Sequence, residues 1–201
     1  GKINYYYSDN FGFNPYNGEG TYIGFSTIST PNPPCRICPS LVGLMIDACG
    51  GGAEADNEFF IVWTGSGFNT SDLNFTYDPS NSAGPGNGHI GGGSCSLTAG
   101  NAGLIQGCAA TPVGGSYNLP ANAILIVFTS SAASTSYDFG GVCGTGLKIF
   151  VAQSTCDRSI GAFSNVTSTG LRNQTLSIDG CGCSSSAQYD TDDPSLMGDG
   201  D

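Results

Sequence analysis

The chain has 201 residues, enough for one sandwich-sized domain that buries a sizeable core without oligomerising. Only 10% of them are charged, against about 25% in an ordinary globular chain, and 5 basic against 16 acidic side chains give a formal charge of −11. Five scattered cations (Lys2, Arg36, Lys148, Arg158 and Arg172) neither neutralise a phosphate backbone nor hold an anionic lipid surface, which excludes nucleic-acid and membrane-surface binding.

The first segment, residues 1–30, reads as an aromatic strand arm. Lys2–Ser8 alternates Ile3, Tyr5 and Tyr7 against Asn4, Tyr6 and Ser8, which predicts a strand. Asn17-Gly18 supplies a turn, and Thr21–Ser29 is a second strand candidate. Tyr5, Tyr6, Tyr7, Tyr16 and Tyr22 with Phe11, Phe13 and Phe25 are a denser aromatic set than one small core absorbs. Ile3, Tyr5, Tyr6, Tyr7, Phe11 and Phe13 are therefore the candidate subunit-contact residues; the competing reading folds the arm back as extra strands of the same domain. Residues 31–40 form a Pro/Cys-rich linker, because Pro31, Pro33, Pro34 and Pro39 cannot join a central ladder.

From 41 to 183, short apolar runs alternate with turn clusters, and helix formers never combine over a helical window. Strands are expected at Leu41–Asp47, Glu58–Thr64, Leu73–Tyr77, Ala123–Thr129, Leu147–Ala152 and Thr175–Asp179. Several are apolar on both faces, as when a strand lies between two layers or under a long loop. A Gly/Ser/Asn-rich insertion at 79–120 is expected to be stapled by Cys95 with Cys108. Residues 184–201 read as a polar acidic tail. No apolar run approaches the roughly 18 residues of a membrane helix. Beginning at Gly1 without Met, the sequence reads as a mature, processed chain.

Nine cysteines (Cys35, Cys38, Cys49, Cys95, Cys108, Cys143, Cys156, Cys181 and Cys183) point to disulfides and an oxidising compartment, with connectivity open and one sulfur over. Cys35-x-x-Cys38 and Cys181-x-Cys183 also have the spacing of a four-thiolate zinc site, but the acidic, export-like composition favours disulfides and no metal. Sequons begin at Asn69, Asn74, Asn165 and Asn173, the candidate glycosylation sites. His89, the single histidine, sits in a Gly-rich stretch with no Gly-x-Ser-x-Gly elbow to pair with, so it reads as a solvated loop residue. The carboxylates of Asp47, Glu54, Asp56 and Glu58, and those of the tail, miss the twelve-residue calcium-loop spacing and read as solvated faces. Trp63 is expected in the core beside a disulfide. No catalytic residue and no cofactor are expected, and the chain reads as not an enzyme.

The order of elements carries a resemblance. A strand ending in Leu44-Met45-Ile46-Asp47 precedes a Gly-rich loop, then Asn57-Glu58-Phe59-Phe60-Ile61-Val62 and Ser71-Asp72-Leu73. Leu119-Pro120-Ala121-Asn122-Ala123-Ile124-Leu125-Ile126-Val127 follows the insertion, and Phe163-Ser164-Asn165 precedes Leu176-Ser177-Ile178-Asp179. Over about 140 residues this resembles the lamin-tail domain, in the form found in Bacteroidetes-type secreted surface proteins exported by the type nine secretion route. The resemblance implies an all-β, immunoglobulin-like β-sandwich, a secreted, extracellular or cell-surface location and no shared catalytic residues. The long insertion, the cysteines and the Tyr-rich arm depart from the pattern. Together these readings predict an extracellular structural protein, a subunit of a cell-surface filament or fibre joined by β-strand addition to copies of itself. The alternative is a secreted adhesion or glycan-binding module whose contact surface is the 79–120 loop, with surface glycans or other cells as partners.

Overall fold

The computed structural model describes residues 24–26, 37–46, 54–77, 89–91, 95–156, 163 and 170–190, with the backbone alone at 24–26, 54–55 and 89. In chain order its strands are β1 (Gly24–Ser26), β2 (Ser40–Met45), β3 (Phe59–Trp63), β4 (Leu73–Thr76), β5 (His89–Ile90), β6 (Leu97–Ala99), β7 (Ile105–Gln106), β8 (Ala110–Pro112), β9 (Ile124–Phe128), β10 (Tyr137–Asp138), β11 (Ile149–Ser154), β12 (Leu171–Ile178) and β13 (Cys183–Asp190). The α-helix described is a single turn, α1, at Gly140–Cys143. The β-rich class expected from the scarcity of helix formers is what forms.

The strands make two main sheets. One runs β1-β13-β12-β4-β5; the other runs β2-β3-β9-β11-β6, with β8 also on β11. Most pairs are antiparallel, but β9 and β8 pair with β11 in parallel, as β7 does with β10, so the sheets are mixed.

Alternation along β3 explains the layering. Phe60 and Val62 face the first sheet, where the Phe60 ring stacks on Phe75 with centroids 3.9 Å apart and planes 12° from parallel. Leu41, Leu44, Leu125, Val127, Phe150, Leu73, Leu176 and Ile178 close this core between the sheets. Phe59 and Ile61 point the other way, against Ile126, Phe128, Phe139 and Val142. The second sheet is thus covered on both sides, by the first sheet and by a thin layer from residues 102–108 and 137–143. β9 and β11 are buried along their whole length, and the apolar runs of the sequence are continuous for that reason. Each fully buried Phe removes enough apolar surface from water to contribute ~1.5–3 kcal/mol.

Three expectations are corrected. Cys95 and Cys108 do not pair with each other: Cys95 bonds Cys156 and Cys108 bonds Cys143. Nor is the described part of the 79–120 insertion a free-standing loop, since β6 and β8 share one edge of β11. Cys95–Cys156 closes the far end of the β6–β11 ladder, and Cys108–Cys143 pins the thin outer layer. The stretch from Ser184 to Asp190 belongs to β13 rather than to a tail, paired along eight residues with β12, which itself begins at Leu171 instead of Thr175.

Candidate functional site

Among the described strands β2 ends its sheet, and β13 would end the other but for the three residues of β1. Two long-range links bring these edges to one flank. Cys38, at the end of the Pro-rich linker, bonds Cys183 at the start of β13, with Cα atoms 5.5 Å apart. The Leu41 N–H donates to Ser185 Oγ at 3.1 Å. β13 alternates buried Cys183, Ser185, Ala187 and Tyr189 with more open Ser184, Ser186, Gln188 and Asp190. β1 lies antiparallel along it, with Gly24 opposite Gln188, Phe25 opposite Ala187 and Ser26 opposite Ser186. The described end of the N-terminal arm therefore folds back on its own domain and uses the backbone groups of β13 to do so. The candidate contact residues Ile3, Tyr5, Tyr6, Tyr7, Phe11 and Phe13 lie outside the described residues.

Cys38, Cys95, Cys108, Cys143, Cys156, Cys181 and Cys183 are all disulfide-bonded, while Cys35 and Cys49 lie outside the described residues. The two short-spaced cysteine pairs do meet in space, through Cys38–Cys183, but as a disulfide; with Cys181 also oxidised, three of the four thiolates of the zinc alternative are consumed. The Cys38–Cys183 bond spans a sequence separation of 145. In the chain-entropy account such a closure restricts the unfolded chain by about 5 kcal/mol.

Of the carboxylates before β3, Glu58 is not part of a solvated face, and Asp56 is partly buried. Asn57 and Glu58 are buried at 0% and 1% exposure. Asn57 Oδ1 accepts from the N–H groups of Ser134 and Thr135 at 3.0 and 2.8 Å, and Glu58 Oε2 accepts from Phe163 N–H at 3.1 Å. Asp56 Oδ1 accepts from Ser130 Oγ at 2.9 Å. Three consecutive polar side chains thus hold two separate segments, the loop after β9 and the backbone at Phe163, a structural use of a stretch in which the sequence presents Asp56 and Glu58 as charges near a Gly-rich loop. Among the described residues no three His, Cys, Asp or Glu side chains converge as a metal site. Asp47 and the carboxylates from residue 191 onward lie outside them, and only the backbone of Glu54 is described.

Trp63 is half-buried on the rim of the second core rather than enclosed. Its Nε1–H donates to Asn122 Oδ1 at 3.1 Å, and Asn122 is the non-Gly residue with positive φ (54°) among those described. The neighbouring loop is fixed tightly. Thr64 Oγ1 donates to Pro120 O at 2.8 Å and accepts from Ala123 N–H at 2.9 Å. Gly65, at φ +57°, leaves no room for a Cβ, which would sit 2.7 Å from the Cys38 carbonyl oxygen. Tyr117, 40% exposed, leans on Phe150 with centroids 5.7 Å apart.

The sequons divide by position. Asn69 caps a 3-10 turn, its Oδ1 accepting from Ser71 N–H at 3.0 Å and its Nδ2 donating to Asn118 at 2.8 Å. Asn74 and Asn173 both point outward from the first sheet, on the adjacent strands β4 and β12, while Asn165 lies outside the described residues. His89 is in β5, paired opposite Thr76, not in an open loop.

Sequence reasoning missed β13, the strand at the centre of this site. Its inward positions are Cys183, Ser185, Ala187 and Tyr189, a period-2 signal present in the sequence but carried by small residues of low hydrophobicity. No helix described is long and apolar enough to cross a membrane. No protein-family model, curated protein or solved structure matches this chain.

Proposed function

We propose that this protein is an extracellular structural subunit of a cell-surface filament or fibre, assembled by β-strand addition between copies of itself. One observation carries the reading: the edge of β13 accepts a strand from the N-terminal arm in a fixed register, with backbone groups of the kind that join subunits in strand addition. The disulfides support an oxidising setting outside the cytosol. Two facing sheets, with the Asn57-Glu58 stretch leading into a central strand, support an immunoglobulin-like sandwich of lamin-tail type. Export by the type nine route belongs to the same reading. Negative-stain images and light scattering of native material test it: regular fibres are expected, and monodisperse monomer overturns it.

A second reading, an adhesion or glycan-binding module, is favoured by the half-buried Trp63 ring with its indole N–H fixed by Asn122. A glycan array giving a ligand lost on Trp63→Ala supports that module over the filament.

A further inference from the structure

We infer that the pairing exchanged between subunits is that of β1 with β13: each subunit receives the Gly24–Ser26 strand of a neighbour on its β13 edge, in the register that the single chain makes with itself. The inference rests on the filament reading and names its donor, its acceptor and their alignment.

The geometry of the connection points to exchange. Ser26 stands opposite Ser186, and Cys38 is bonded to Cys183, three residues earlier on the same strand. At ~3.4 Å per residue the chain must cover roughly 10 Å along β13 between these two points. The connection from Ser26 to Cys38 is 38 − 26 = 12 residues long and contains Pro31, Pro33 and Pro34. At no more than ~3.3–3.6 Å per residue, twelve residues can span at most ~40 Å, about four times the gap closed within one chain. That reach carries β1 to the β13 of an adjacent copy, while Cys38–Cys183 keeps the base of the connection on its own domain. Exchange of an identical element keeps every backbone bond and adds none, which makes it a low-cost route to assembly. Donated strands run head to tail, so the contact is heterologous and extends into a fibre unless a rotation closes it. β13 suits the acceptor role: Ser186, Ala187 and Gln188, the residues opposite β1, carry no charge to repel an incoming strand from a chain of net charge −11.

The test labels copies of the full chain. Chains labelled with 15N and unlabelled chains, both carrying the photo-crosslinker p-benzoylphenylalanine at position 25, are folded together in equal amounts under oxidising conditions. The assemblies are irradiated, and crosslinks between position 25 and the β13 peptide are read by mass spectrometry. Exchange predicts that half of these crosslinks join a heavy to a light chain. Fibres whose position-25 crosslinks are all same-isotope overturn the exchange and leave the filament reading standing, whereas monomer alone overturns both. In a second arm, Gly24→Pro/Phe25→Pro removes two successive N–H groups, which point to opposite sides of the strand, so the one aimed at β13 is lost whichever it is. Loss of fibres with a retained fold is expected, and fibres as abundant as in the unsubstituted chain overturn the proposal. Should the variant fail to fold, the crosslinks of the first arm decide.

Discussion

Ser185 Oγ accepts a hydrogen bond from the Leu41 N–H at 3.1 Å, although 144 residues separate the two in sequence. Leu41 belongs to the end strand of one sheet, and its N–H would otherwise be an unpaired edge donor in a buried place. A side chain of the facing sheet satisfies it, so one hydroxyl both blunts an edge and ties the layers together. Ser185→Ala strands that donor and is expected to lower stability by about 1–3 kcal/mol, read from the shift of the denaturant midpoint at unchanged slope. A midpoint within error of the parent removes the bond from this account.

Disulfides deliver a second prediction. Peptide mapping without reduction is expected to recover Cys38–Cys183, Cys95–Cys156 and Cys108–Cys143, and no peptide joining Cys95 to Cys108. Replacing both members of a pair avoids a stray thiol. Cys38→Ser/Cys183→Ser opens the longest of the three loops and is expected to destabilise by a few kcal/mol, more than Cys108→Ser/Cys143→Ser, whose sequence separation is 35. The reverse order in thermal unfolding contradicts the assignment of Cys38–Cys183 as the clamp between linker and β13.

The sequence is informative wherever burial follows from hydrophobicity alone. Phe59–Trp63, Ile124–Phe128 and Ile149–Ser154 stand out because two layers cover them, and no polar residue interrupts the first two runs. β13 does not stand out, because its inward residues include Ser185 and Ala187, small side chains of low hydrophobicity. Pairings between cysteines were not readable from spacing, since Cys95 finds Cys156 only after β6 has paired with β11. Glu58 reads as solvent-facing in the sequence for an equally physical reason: a buried carboxylate is tolerated only where a loop N–H comes to meet it, and that of Phe163 lies 105 residues further along the chain.

Asn122 supports Trp63 in two separable ways. Its φ of 54° is a conformation that Asn adopts more readily than most residues, and its Oδ1 takes the indole N–H. Asn122→Gly keeps the backbone and loses the bond, whereas Asn122→Ala loses the bond and adds backbone strain. Ala is expected to be the more destabilising by ~1 kcal/mol. As Trp63 is the single tryptophan, both variants should shift its emission to the red by a similar amount. Equal stabilities of the two variants rule out the strain, and unshifted emission in both rules out the bond.

Gln174 presents the opposite case, a polar side chain whose position works against stability. It points inward from β12, opposite Ala187 of β13, and is 0% exposed. Neither Nε2 nor Oε1 has a hydrogen-bond partner. A buried amide left in this way forfeits its hydration, which costs about 1–3 kcal/mol on mutational scales. Met has nearly the same length and volume without the polar atoms, so Gln174→Met fills the same space and relieves the penalty. The variant is expected to unfold at a higher denaturant concentration, by an amount equivalent to about 1–2 kcal/mol with the disulfides intact. Lower stability in Gln174→Met overturns this view and assigns the amide a bound water between the sheets, whose bonds the thioether cannot replace.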